Sequence, residues 1–201
     1  MAEHYYTRKP SSKMQLGLLR VYLRGLYFEL LTAPSIFSKK KIDAGTKLLA
    51  ECMYLPRSGF ILDLGCGYGP VGIVAAMSNP KLHVIMTDVN ERAVWLARQN
   101  VKRNNVRNAE VRYGFLYEPV EDIKFKTILS NPPLTAGLKN VIIPLICQSK
   151  DHLTNDGNLQ LVVRTGSGGK RIGQIMKETF GNSEIIDRQS GYRVFISKIS
   201  S

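Results

Sequence analysis

The chain is poor in the residue types that make covalent staples, metal cages and nucleophilic catalytic centres. Only three of its 201 residues are cysteine and three are histidine. Cys52, Cys66 and Cys147 are scattered, odd in number and without a Cys-x-x-Cys spacing. They read as reduced, buried thiols of a cytoplasmic protein rather than as a disulfide or zinc framework. His4, His83 and His152 stand alone, so no metal and no histidine base is expected. No apolar run approaches the ~20 residues that cross a bilayer. Met1-Ala2-Glu3-His4-Tyr5-Tyr6 also lacks the apolar core of a signal peptide. Acidic residues are scarce as well: 16 against 28 Lys and Arg, a net charge of +12. That excess suits a polyanionic partner. Residues 1–57 hold ten Lys and Arg against four acids, with Tyr5, Tyr6, Tyr22 and Tyr27 interleaved. Arg98, Lys102, Arg103, Arg107 and Arg112 form a second cluster. Basic and aromatic surfaces suit nucleic acid, although lysine-rich surfaces that merely solvate a protein have the same composition.

With 44% apolar residues, the length gives one substantial core and an ordinary globular protein. Leu16 to Leu23 and Leu26 to Leu31, split by Arg24-Gly25, predict an antiparallel hairpin. Asp43-Ala44-Gly45-Thr46 reads as a helix start before a helix at 47–54. From Phe60 onward strands and helices alternate. Strands are expected at 60–64, 82–87, 109–113, 126–130, 158–164, 183–188 and 192–198, and helices at 71–77, 90–104, 138–153 and 170–180. Such alternation predicts a doubly wound α/β fold with a mainly parallel seven-stranded sheet. Only Gln189-Ser190-Gly191 separates the last two strands, too little for a crossover, so the sheet should close in an antiparallel hairpin. The expected organisation is one compact domain: a basic hairpin-and-helix extension over 1–57 packed on a core over 58–201.

Two motifs carry chemistry. In Asp63-Leu64-Gly65-Cys66-Gly67-Tyr68-Gly69-Pro70-Val71-Gly72 a strand runs through a glycine-rich turn into an apolar helix. Glycines let the main chain approach a ligand, and the helix start offers free N–H groups. Gly67-x-Gly69-x-x-Gly72 also satisfies the dinucleotide fingerprint, with Asp88 placed as a ribose acid. However, Asp63 sets a carboxylate where a pyrophosphate would approach, which repels phosphate and attracts a sulfonium or ammonium. The strand before Asp88-Val89-Asn90 ends where both ribose hydroxyls could be held. Sixty-eight residues beyond Asp63, Asn131-Pro132-Pro133-Leu134 follows another apolar strand and could line the same crevice. Its prolines hold the chain extended, and Asn131 with neighbouring carbonyls could grip the N–H bonds of a planar amino group. A rigid turn after a strand is the plainer reading of that tetrapeptide alone. Together the motifs favour S-adenosylmethionine, a cationic nucleoside without phosphates, over a dinucleotide.

Methyl transfer from a sulfonium needs a positioned, desolvated acceptor rather than a protein nucleophile. The Asn131 side-chain oxygen and the Pro132 carbonyl are the candidates for accepting the two N–H bonds of a purine amino group, with Pro133 completing the motif. A base taken from a stack needs a flat neighbour. Leu134 cannot stack, so Phe37 and Tyr68 are the candidate aromatic contacts beside Leu134, each also readable as packing.

On these residues the chain resembles the small-domain class I S-adenosylmethionine-dependent methyltransferases, a family that includes the bacterial ribosomal RNA guanine-N2 enzymes and single-domain archaeal relatives. The resemblance extends to His4-Tyr5-Tyr6, Phe37-Ser38, Asp43-x-Gly45-Thr46 and Gly191-Tyr192-Arg193-Val194. It implies a cofactor set of Asp63, Gly65, Cys66, Gly67, Gly69, Asp88, Val89, Asn90, Phe115 and Asn131. In that set Asp63, Gly65 and Gly67 lie at the methionine end, Asp88 on the ribose and Asn90 beside the adenosine. Relatives commonly place an Asp near position 115, where Phe115 stands instead and could cover the purine face. The resulting expectation is an RNA methyltransferase acting on a purine amino group, guanine N2 of ribosomal RNA first. A glutamine amide of a protein, or a small metabolite, fits Asn131-Pro132-Pro133 equally well but leaves the charge unexplained. A basic RNA-binding protein with a vestigial pocket is the alternative of another class.

Overall fold

A computed structural model describes residues 16–33, 41–133 and 137–199. Strands β1 (Gly17–Leu23) and β2 (Leu26–Thr32) form the expected hairpin in register from Gly17 opposite Thr32 to Leu23 opposite Leu26. Its two connecting residues, Arg24 and Gly25, have φ of 51° and 75°, the left-handed pair that matches the twist of a two-residue hairpin. Leu19, Leu23, Phe28 and Leu30 are buried in the same apolar cluster as Ile61 and Val74 of the main layer. Two asparagines of α3 (Glu91–Arg103) and its C-terminal cap hold the hairpin by its backbone. Asn100 accepts from Leu31 N at 2.6 Å and donates to Leu31 O and Tyr68 O, and Asn104 accepts from Glu29 N.

The main sheet contains β3 (Gly59–Leu64), β4 (Leu82–Asp88), β5 (Ala109–Tyr113), β6 (Phe125–Ser130), β7 (Leu153–Arg164), β8 (Glu184–Gln189) and β9 (Tyr192–Lys198). Its order is β5-β4-β3-β6-β7-β9-β8, parallel from β5 through β7 and antiparallel where β9 meets β7 and β8. This is the expected doubly wound sheet with its terminal hairpin. The order reverses between β3 and β6, the switch point at which open α/β sheets leave a crevice beyond the strands' carboxyl ends. One apolar cluster, holding Ile61, Val74 and Leu96, and a second, holding Leu62, Ile128 and Ile172, account for the core.

Helix α2 (Pro70–Ser78) is buried at nearly every position, and its residues are apolar on all sides. By contrast α3 carries a one-sided stripe of Ala93, Val94, Leu96 and Ala97, the stripe its spacing predicts. Three boundaries differ from expectation. Helix α1 covers Ala44–Cys52 rather than 47–54, because the Asp43 side chain caps it from Gly45 N and Thr46 N. The single helix expected at 138–153 is a π-helical turn (Leu138–Ile142), then α4 (Ile143–Ser149), then a 3-10 turn (Lys150–His152). Strand β7 begins at Leu153, not 158, because Leu153 already pairs with Phe125 before an irregular register leads into Asn158 opposite Thr127. The last helix, α5 (Gly169–Phe180), lies where expected. Among the described residues no helix is long and apolar enough to cross a membrane.

Candidate active site

At the switch point a cleft of about 530 Å³ is lined by Leu64, Gly65, Thr87, Asp88, Val89, Gly114, Phe115, Leu116, Ser130, Pro132, Pro133, Val141 and Leu145. Its walls are the carboxyl ends of β3, β4 and β6 and the turn after β5, so strands far apart in sequence converge by topology alone. Of the predicted residues, Gly65, Asp88, Val89, Phe115, Pro132 and Pro133 meet here.

The glycine turn is lashed to its neighbours by main-chain bonds. Gly65 N and Cys66 N both donate to Thr87 O at 2.9 Å, and Gly67 N donates to Asp88 Oδ2 at 2.9 Å. The other Asp88 oxygen accepts from Asn90 N at 2.8 Å. Asp88 thus organises the turn while lining the cleft. Asn90 is fully buried, and its Oδ1 caps α3 by accepting from Arg92 N and Ala93 N. Its side chain therefore builds the site's frame, whatever its main chain contributes beside a ligand. Gly69 starts α2 with φ of 92°.

Asp63 is 2% exposed and does not line the cleft. Its Oδ2 accepts from Gly72 N at 2.8 Å, tying the end of β3 to the first turn of α2. Burial pushes its carboxyl up to about 7, the Gly72 N–H opposes that rise, and the Asp88 charge adds to it. Cys66 is buried, its thiol turned to Gly67 O, and burial with the nearby Asp88 and Asp63 charges raises its pKa well above the ordinary value. Both side chains support the turn from inside rather than forming its surface.

Asn131 stands at the cleft's edge, half-buried. Its Nδ2 donates to Thr46 Oγ1 at 2.8 Å and to Asp43 Oδ1 at 3.3 Å. Beside it Ser130 Oγ donates to Leu64 O at 2.7 Å, locking the ends of β6 and β3 together. Both acceptors of the Asn131 amide come from the start of α1, 85 and 88 residues upstream. No local spacing reveals this contact, and the sequence marks Asp43 to Thr46 only as a helix start.

The aromatic contact expected at Tyr68 requires correction. Tyr68 is 2% exposed and packed in the core cluster, so it offers no open face to a base. Burial raises its hydroxyl pKa, and the Asp43 charge adds to the effect. Phe37 and Leu134, like His4-Tyr5-Tyr6 and Ser38, lie outside the described residues. Phe115 does line the cleft. Its N–H donates to Glu118 Oε2 at 3.1 Å, and it precedes Leu116, whose φ of 47° is rare for a bulky residue.

Thr87 and Leu116 are cleft residues that sequence reasoning missed. Thr87 lines the cleft, and its Oγ1 is a buried hydroxyl without a hydrogen-bond partner. Gly65 offers the complementary feature. Its φ is 73°, and a Cβ there would meet no protein atom within 4 Å. Gly65 itself lines the cleft. Among the described residues no cluster of His, Cys, Asp or Glu could hold a metal.

Residues 27–196 match the family model of the methyltransferase small domain. The uncharacterized protein YbxB of Bacillus subtilis (strain 168) is 34% identical over 200 residues, covering 98% of this chain and 99% of that protein. The ribosomal RNA small subunit methyltransferase C of Photorhabdus laumondii is 32% identical over 167 residues, 82% of this chain and 48% of that protein. The chain thus spans about half the length of these larger relatives. A Thermus thermophilus structure described as the 16S rRNA N2 G1207 methyltransferase in complex with AdoMet and guanosine superposes with a TM-score of 0.80 at 19% identity. That superposition covers 96% of this chain and 52% of the other, and at such identity it is a likeness of fold.

Proposed function

The chain belongs to the methyltransferase small-domain family and is an S-adenosylmethionine-dependent methyltransferase; on that premise we propose that its acceptor is the exocyclic amino group of a purine in RNA, guanine N2 of ribosomal RNA first, and that it acts in the cytoplasm. The observation that carries this reading is the orientation of Asn131. With Nδ2 committed to Thr46 and Asp43, its Oδ1 is the end left for a ligand, and an amide oxygen is an acceptor for N–H.

The cleft suits the cofactor on its own chemistry: an open Cβ position at Gly65, an unpartnered Thr87 hydroxyl and an acid at Asp88 suited to vicinal hydroxyls. Gly65 and Thr87 would line the cofactor, Asp88 would take the ribose, and Val89 and Phe115 would enclose the adenine. Asp63, Cys66, Gly67, Gly69 and Asn90 would hold the turn in shape. When bound, S-adenosylmethionine supplies an activated methyl: a C–N bond forms as the C–S bond breaks, sulfur keeps that electron pair, and the methylated nitrogen sheds a proton to solvent. Asn131 Oδ1 and the Pro132 carbonyl accept the two amino N–H bonds and return density to a lone pair otherwise delocalised into the ring. Pro133 stiffens the chain that presents them.

The net charge of +12 and the relatives' ribosomal RNA names favour RNA over a protein amide or a metabolite. Incubation with radiolabelled S-adenosylmethionine and separate pools of ribosomal RNA, protein and small metabolites tests this choice. Label is expected in the RNA; label confined to protein or metabolites would overturn it.

Two further outcomes follow from the cleft. Gly65→Ala should fold, because its Cβ meets nothing, at a strain cost of about 1–2 kcal/mol. By filling ligand space it should weaken S-adenosylmethionine binding at least about tenfold. Unchanged affinity by calorimetry would place the cofactor elsewhere. The second concerns Asp63. A carboxyl raised from 3.8 to about 7 contributes stability that is full below 3.8 and lost as pH rises through 7. Because Asp63 holds the turn from inside, the melting temperature should fall between pH 6 and pH 8. Asp63→Asn should flatten that slope, whereas a flat wild-type profile would show that Asp63 does not titrate in this range.

A further inference from the structure

An asparagine amide can sit in either of two orientations related by a flip, and the choice decides whether the cleft meets an acceptor or a donor. At Asn131 the choice is made by residues outside the cleft. We infer that the start of α1, Asp43 to Thr46, seated on Tyr192, is a positioning device that fixes the Asn131 amide with Oδ1 turned to the acceptor nitrogen. This inference rests on the proposed role of Asn131.

A carboxylate accepts hydrogen bonds and donates none, so the atom 3.3 Å from Asp43 Oδ1 must be the amide nitrogen. A flip would set two oxygens against each other at Asp43; Thr46 Oγ1, 2.8 Å from the amide and able to donate or accept, anchors the side chain while Asp43 chooses its orientation. Asp43 cannot swing aside without cost, because the same Oδ1 accepts from Gly45 N and Thr46 N, each at 3.0 Å, as the cap of α1. The position of the cap is itself fixed from the far edge of the sheet. A Cβ at Gly45 would lie 2.8 Å from both Cδ1 and Cε1 of Tyr192, so the Gly45 backbone rests directly on that ring. Tyr192 opens β9, which pairs with β7 next to β6. Thus the helix start, the Asn131 loop and the terminal hairpin share one junction. Thr46 is itself buried, at 4% exposure.

Three substitutions separate orientation from structure. Thr46→Val keeps the shape and removes the acceptor. Thr46→Ser keeps the hydroxyl. Asp43→Ser keeps a competent helix cap on a side chain too short for Asn131. The assay is methyl transfer from radiolabelled S-adenosylmethionine to an unmodified ribosomal RNA transcript, with cofactor affinity by calorimetry and melting temperature alongside. Thr46→Val should lower kcat by on the order of 10²-fold, with KM for RNA and cofactor affinity within about twofold. Thr46→Ser should recover most of that rate. Asp43→Ser should lose kcat while keeping the melting temperature. Wild-type kcat in both Thr46→Val and Asp43→Ser, with Asn131→Ala inactive in the same assay, would overturn the positioning role alone. A common loss of kcat, affinity and melting temperature in both variants would also overturn it, in favour of a purely structural junction. An active Asn131→Ala protein would instead remove the reading on which the inference rests.

Discussion

Replacing Asn131 with alanine is expected to lower methyl transfer by about 10³-fold while leaving S-adenosylmethionine affinity within about twofold. The asymmetry follows from the position of the side chain. Asn131 does not line the 530 Å³ cleft, whereas its neighbours Pro132 and Pro133 do. Its amide nitrogen is occupied by Thr46 and Asp43, so its oxygen is the group left to grip an acceptor. Alanine removes that acceptor and leaves the β3–β6 junction held by Ser130 Oγ on Leu64 O. Single-turnover rates paired with calorimetry check this. Equal losses in rate and cofactor affinity would make Asn131 a cofactor residue, and an unchanged rate would remove it from the chemistry.

The second large effect concerns salt. If RNA is the substrate, its affinity should fall by about 10³-fold between about 50 and about 200 mM salt, the drop expected for some six phosphate contacts. The chain carries the necessary excess of cations, but part of it is already engaged. Arg20 and Arg103 both pair with Glu29, Arg98 donates to Val111 O, and Arg112 is shared between Glu110 and Pro119 O. Exposed pairs of this kind are worth little and can yield to phosphate. On the hairpin's outer face Tyr22 and Tyr27, 59% and 80% exposed, lie with ring centroids 4.4 Å apart beside Arg20. Fluorescence titration across that salt range is the check. A flat profile would point to a small or neutral acceptor.

Much of the fold was legible because its signals are local. Apolar runs ending in glycine or Asn-Pro marked β3 and β6, and the one-sided stripe of α3 and the short gap between β8 and β9 left few alternatives. Boundaries failed where tertiary pairing intervened. Leu153 joins β7 only because Phe125 is beside it; the early start of α1 is instead a local effect of the Asp43 cap. The site divided in the same way. Gly65, Asp88, Val89, Pro132 and Pro133 were readable as one crevice, since each lies at or just after the end of a parallel strand, whereas Phe115 came from the family resemblance. The inward roles of Asp63, Cys66 and Asn90 were not, because a sequence gives a residue's position on a turn and not which side its side chain faces. Tyr68 failed as an aromatic platform for that reason. The hold of Thr46 on Asn131 spans 85 residues and leaves no periodic trace.

The most direct test is nucleoside analysis of ribosomal RNA from methylation reactions with the purified protein. After digestion and mass spectrometry, the new methyl is expected on an exocyclic amino group, with N2-methylguanosine as the product, and no such product is expected from Asn131→Ala. A methyl found on a ribose oxygen, a ring carbon or a ring nitrogen would contradict an Asn131 oxygen that receives amino N–H bonds.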